Sequence, residues 1–298
     1  MTRQTEIGSL QAWILAARPR TLPAAVAPVL VGIGLAIADG VFAPLPALAA
    51  LVGALLLQVG VNLANDYFDH IRGIDIPERL GPPRVAASGL IPLRDLRLGM
   101  AAVFGITALI GVYLIAVAGW PILAIGAASI LAALAYSGGP FPLASHGLGD
   151  LFVFLFFGLA AVCGTYYAQA RTLDAYVVLA AFPPGLLITA ILVVNNLRDI
   201  DTDRKTGKRT LAVILGRRGA RVEYTTLLAA SYLIPAALWA VGQYRIPALL
   251  PMLSLPLTAP LIRLIWRESG RALNRGLADT ARLALIFSLL FAVGLALS

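Results

Sequence analysis

Charge is scarce in this chain. Only 13% of its 298 residues are Asp, Glu, Lys or Arg, against 59% hydrophobic, a balance that excludes an ordinary water-soluble globular domain. Cysteine occurs once, at Cys163; without a partner it excludes a disulfide framework and reads as core packing. The two histidines, His70 and His146, are isolated, so no His/Cys set for zinc or copper exists and both read as loop hydrogen-bonding residues. The first eight residues are polar and no basic segment leads into a short apolar run, so no cleaved signal peptide is expected.

What the chain does have is long charge-free stretches, each near the roughly 20 apolar residues that span a bilayer core as helix. They are Thr21–Ala38, Val41–Asn65, Leu98–Gly149 (room for two helices around Gly119-Trp120-Pro121), Leu151–Ala170, Ala175–Leu197, Tyr224–Tyr244, Ile246–Ile262 and Leu283–Ser298. The expectation is an all-α, polytopic membrane protein of about nine transmembrane helices, forming a single domain over residues 1–298. Before the first span, Leu10, Trp13, Ile14 and Ala17 share one helical face, as in an interfacial helix. Pro247, Pro251, Pro256 and Pro260 should kink the eighth span. Gly32 and Gly34 follow no strand, so they read as close helix packing and not as a phosphate loop.

The net charge of +8 is explained by where the cations fall. Threading nine spans from an inside N-terminus puts nearly all of them on one side, including Arg3, Arg18, Arg20, Arg79, Arg84, Arg209, Arg217, Arg221 and Arg267; only Arg171 and Arg245 fall outside. The positive-inside rule then sets the orientation, with the C-terminus outside and the chain in the cell (inner) membrane. Membrane insertion accounts for the basicity, so no nucleic-acid partner is expected, and no protein partner.

The two longest polar segments, 66–97 and 198–221, both face the cytoplasm and begin alike. Val-Asn62-Leu-Ala-Asn65-Asp66-Tyr-Phe-Asp69 ends the second span, and Val-Asn195-Asn196-Leu-Arg198-Asp199-Ile-Asp201-Thr-Asp203 ends the sixth. Residues four apart share a helix face, so Asn62 projects with Asp66, and Asn195 with Asp199 and Asp203. Carboxylates at a helix C-terminus oppose the macrodipole, repel one another and lack full hydration near hydrocarbon. A bound cation removes these penalties, and removing one such carboxylate is expected to leave the apoprotein folded. Carboxylate and amide oxygens without His or Cys suit magnesium, which binds through one or two carboxylates plus substrate phosphate. Two opposed acidic faces suggest a bridged diphosphate, with Arg72, Arg84, Arg198, Lys208 and Arg209 taking its remaining charge. A transporter would place its acids at the bilayer midplane, whereas these stand at the cytoplasmic boundary. Asp150 opens a helix, where its charge suits the N-terminal dipole.

The stretches Asn62-Leu-Ala-Asn65-Asp66-Tyr-Phe-Asp69 with Gly73 and Asp75, and Asp199-Ile-Asp-Thr-Asp203-Arg-Lys-Thr-Gly-Lys208, resemble the two signature motifs of the UbiA superfamily of intramembrane prenyltransferases. The likeness covers nearly the whole chain. Arg18-Pro-Arg20-Thr-Leu-Pro-Ala-Ala, Gly81-Pro-Pro-Arg84-Val-Ala-Ala-Ser88-Gly89, Tyr136-Ser-Gly-Gly-Pro140 and Gly147-Leu-Gly149-Asp150-Leu are most similar to the branch acting on 1,4-dihydroxy-2-naphthoate. The resemblance implies nine helices around a central cavity, cytoplasmic cap loops and a lateral opening for the lipid tail. It implies Asp66, Asp69, Asp199 and Asp203 as catalytic, with Asn62, Asp66 and Asp69 serving one Mg2+ and Asp199 and Asp203 a second. The implied reaction joins a prenyl diphosphate to an aromatic acceptor with loss of the ring carboxylate, giving demethylmenaquinone; 4-hydroxybenzoate is the rival acceptor. The chain departs from many relatives in two places. Pro140 stands where a lysine follows Tyr136 by four residues, and the third acid of the first motif comes at Asp75, after Gly73.

Overall fold

The structure, a computed structural model, describes residues 8–74 and 80–298; Arg3, Asp75 and Arg79 lie outside the described residues. The described chain is helical throughout. A short helix α1 (Ser9–Ala17) leads through Pro19–Thr21 into α2 (Pro23–Ala38), followed by α3 (Pro44–Ile71), α4 (Leu93–Ala118), α5 (Trp120–Ser137), α6 (Gly149–Ala170), α7 (Ala175–Lys205), α8 (Leu211–Ala240), α9 (Ile246–Arg267) and α10 (Gly270–Ala296).

Seven of these are long and apolar enough to cross a membrane, and eight if the α1–α2 pair, bent by 50°, counts as one span. The protein is therefore a multi-pass membrane protein, and the expected count of about nine is matched only approximately. The difference lies in α8, which is 30 residues long but carries Arg217, Arg218, Arg221 and Glu223 in its first half. In α9 the prolines impose a 3-10 conformation over Ile246–Leu257 before an α-helix over Thr258–Arg267. Proline lacks the N–H that an α-helix needs, so the ladder tightens there.

Two buried apolar clusters organise the bundle. One joins α1, α3, α4, α5 and the loop residues Val85, Ala86 and Ile91; the other joins α2 and α6 through α10. Glycines let backbones meet inside the second. A Cβ at Gly34 would stand 2.4 Å from Ala292 O, and one at Gly158 2.9 Å from the Cα of Gly185, so α2 lies against α10 and α6 against α7 with no side chain between them. The end of α3 belongs to the first cluster and α7 to the second, which sets the two acidic segments on facing walls of the space between.

Candidate active site between two carboxylate faces

That space is a cavity of about 710 Å3 bordered by residues of α2 to α7 and α10. One end is polar: Asn62, Asn65 and Asp69 on α3 face Asn195, Asn196, Asp199 and Asp203 on α7, with Arg18, Arg20, Arg84 and Lys208 around them. The rest is mainly apolar, running past Ala54, Ile110, Leu114 and Ile122, with Thr107, Ser129 and Thr165 among its lining.

On α3 the cavity face is Asn62–Asn65–Asp69, spaced three and four apart as one helical stripe requires. Asn62 is held within the wall: its Nδ2 donates to Ala17 O and to Thr21 Oγ1, each at 2.9 Å, which pins the α1–α2 elbow to α3. Gln58, one turn away, donates from Nε2 to the same Thr21 Oγ1 at 3.0 Å. Asn65 Oδ1 accepts from the Ser137 hydroxyl, tying α3 to the end of α5. Asp66 stands at the edge of the stripe, only 1% exposed and outside the cavity wall; its Oδ1 lies 3.5 Å from Arg84 Nε and 3.6 Å from Arg18 Nη2. Asp69 accepts from Arg84 Nη2 at 3.0 Å and has Lys208 Nζ at 3.6 Å. Arg84 thus spans Asp66 and Asp69 of the first motif. The turn that carries it, closed by Ser88 N→Arg84 O and Leu90 N→Val85 O, is fixed by burial of Val85 and Ile91.

On α7, Asn195, Asp199 and Asp203 share the cavity face at four-residue spacing. Arg198 takes no place on it. Its guanidinium, 3% exposed, holds Asp199 through Nε and Nη2, Asn195 through Nη2, and Asn274 of α10 through Nη1; Asn274 in turn donates to Leu80 O at 3.2 Å. Arg72 is also away from the cavity, donating to Ser137 O at 3.1 Å, and Arg209 is exposed with its backbone N–H on Ser145 O. Of the cations expected around a diphosphate, Arg84 and Lys208 border the cavity, while Arg72, Arg198 and Arg209 do not.

Arg18, Arg20, Asn65 and Tyr136 line the polar end without having been singled out for a site role. Asn65 sits inside the first motif, and the Arg-Pro-Arg run before the first span was the available signal for the two arginines. His146 donates from Nδ1 to Pro142 O, 2.8 Å away, and stacks on Phe141, as a loop residue does. Asp66 argues against the expectation that loss of a carboxylate leaves the apoprotein untouched: it is buried beside Arg84 and Arg18, and removing one partner of such a contact strands the other.

Among the described residues no three His, Cys, Asp or Glu side chains converge. The donor set nevertheless fits magnesium, because every candidate ligand is a hard oxygen and that ion keeps waters and substrate phosphate in its sphere instead of filling an all-protein cage.

The chain is similar to known proteins along nearly its whole length. The description "UbiA prenyltransferase family" matches residues 25–286. The chain is 40% identical over 305 residues to 1,4-dihydroxy-2-naphthoate octaprenyltransferase of Escherichia coli (strain K12), covering 100% of this chain and 99% of the relative. It is 37% identical to the Haemophilus influenzae enzyme of the same name, over 96% of each. A solved UbiA homolog from Archaeoglobus fulgidus bound to GPP and Mg2+ superposes with a TM-score of 0.63 at 16% identity, covering 95% of this chain and 100% of that one; at that identity the likeness concerns the fold.

Proposed function

The chain belongs to the UbiA prenyltransferase family, and from that membership we propose that it transfers a polyprenyl group from its diphosphate to 1,4-dihydroxy-2-naphthoate, with loss of the ring carboxylate. The observation that carries this reading is the pair of oxygen-rich helix faces on one cavity whose remaining wall is mainly apolar. A diphosphate suits the first part and a lipid tail the second. The relatives that bear the dihydroxynaphthoate name along their whole length support the acceptor.

We assign Asp69, Asp199 and Asp203, with Asn65 and Asn195 beside them, to holding magnesium. Asn62 and Asp66 keep the first wall in position through the α1–α2 elbow and Arg84. When bound, the ion supplies Lewis-acid neutralisation of the leaving diphosphate. Arg18, Arg20, Arg84 and Lys208 aim positive charge at the same group and favour cleavage of the allylic carbon–oxygen bond. The aromatic ring attacks the allylic carbon and gives up its carboxylate. The apolar walls keep water from capturing the cation first. The whole chain is read as one prenyltransferase unit, with its carboxylate end in the cytoplasm, since the arginine-rich connections lie at that end.

The test is turnover by purified protein with octaprenyl diphosphate, magnesium and a panel of acceptors, with product mass as the readout. Dihydroxynaphthoate is expected to be prenylated and chelation to stop the reaction. Preference for 4-hydroxybenzoate would reassign the acceptor, and no prenylated product with any of them would overturn the reading.

A further inference from the structure

Four glycines border the apolar part of the cavity at one level, here called its waist. Helices α4 and α5 are joined at Gly119; Gly111 stands eight residues before that turn and Gly126 seven after it, about 12 and 10 Å along their helices, so the two are level. Gly53 of α3 belongs to the same level, because a methyl on it would lie 3.8 Å from Ile110, the neighbour of Gly111. Gly164 of α6 does too, since its methyl would lie 3.6 Å from Ile125, the neighbour of Gly126. All four border the cavity, which continues beyond them to Ile115 and Ile122. At Gly111 and Gly126 an added Cβ would meet nothing within 4 Å. Helix interiors ordinarily disfavour glycine by up to about 1 kcal/mol relative to alanine, and at these two positions no packed neighbour demands it.

Resting on the function proposed above, we infer that this glycine waist is the passage through which the prenyl tail runs, and that Gly111 and Gly126 determine how long a tail the enzyme accepts. Gly126 lies about 15 Å along α5 from Tyr136 at the polar end. A short tail ends before the waist, whereas a long one must thread it toward the far end of the cavity. Side chains at the two positions would close the waist without touching the carboxylates or the backbone of another helix.

The experiment compares kcat/KM for geranyl and octaprenyl diphosphate in wild type, Gly111→Leu, Gly126→Leu and Gly105→Leu. Gly105 is the control, being on α4 with open space around its Cβ but away from the cavity. The octaprenyl-to-geranyl ratio is expected to fall at least tenfold in Gly111→Leu and Gly126→Leu while geranyl transfer persists, and to stay at the wild-type value in Gly105→Leu. Equal ratios in all four proteins would show that the tail leaves sideways before the waist, and the inference would fall with the function intact. A wild type that transfers neither group would strike the function itself, and this inference with it.

Discussion

Lys208 Nζ lies 3.6 Å from Asp69 Oδ2, so the segment following the second acidic motif closes onto the acid of the first. A lysine ammonium in that position holds the place of positive charge that a bound metal would take, and it stands ready to meet a diphosphate. Lys208→Met is therefore expected to raise magnesium affinity severalfold in the absence of substrate and to weaken binding of a non-hydrolysable prenyl diphosphate analogue about tenfold. Linkage requires the analogue and magnesium to strengthen each other by one common factor. Calorimetric titration with each ligand alone and then together checks both signs; unchanged magnesium affinity in Lys208→Met would remove Asp69 from the metal site.

Asp66→Asn is expected to cost stability as well as turnover. The carboxylate is buried beside Arg84 and Arg18, and breaking such a contact costs on the order of 3 kcal/mol, with Asp69 still holding Arg84. Asp199→Asn strands Arg198 in the same way. Turnover should fall on the order of 10²-fold in Asp199→Asn, since charge stabilisation at the leaving group is lost, and in Asp66→Asn because Arg84, which borders the cavity, loses one of the acids that position it. Thermal unfolding in detergent, run beside the activity assay, is the measurement; a wild-type midpoint for Asp66→Asn would mean its contacts carry no weight.

Gly34→Ala should destabilise by about 3 kcal/mol, because its methyl would enter the backbone of α10 at Ala292 O and neither helix can yield without opening the core. Gly105→Ala, with nothing within 4 Å, is expected to be neutral or to stabilise by up to about 1 kcal/mol. The contrast between the two midpoints separates close packing from glycine's general effect on a helix.

Orientation can be read by labelling. With the buried Cys163 replaced by Ala, a cysteine at Thr172 should react with an impermeant reagent added outside the cell, and one at Arg209 only after the membrane is opened. The reverse pattern would invert the topology.

Much of the fold and part of the site were legible in the sequence for one reason: both depend on local composition and period. Charge-free runs near bilayer length marked the helices whatever they packed against, and the four-residue spacing of Asn195, Asp199 and Asp203 put oxygens on one face of α7; on α3 the same rule paired Asn62 with Asp66, whereas the cavity face is Asn62, Asn65 and Asp69. The sequence marked Tyr224–Tyr244 as a span, but α8, the helix that carries it, begins at Leu211 with Arg217, Arg218, Arg221 and Glu223 in its first half, so it is not among the seven helices long and apolar enough to cross. Tertiary structure decided which side chains reach the cavity. Arg84 and Arg198 were both expected at the diphosphate, yet one spans Asp66 and Asp69 across a loop and the other is locked behind Asp199 by Asn274. Asp66, which the four-residue spacing placed with Asn62, is turned to the edge of the stripe and buried in ion pairs. Sequence spacing fixes the angle of a residue about its own helix; which neighbour fills that direction depends on contacts between segments far apart in the chain, and no local pattern encodes those.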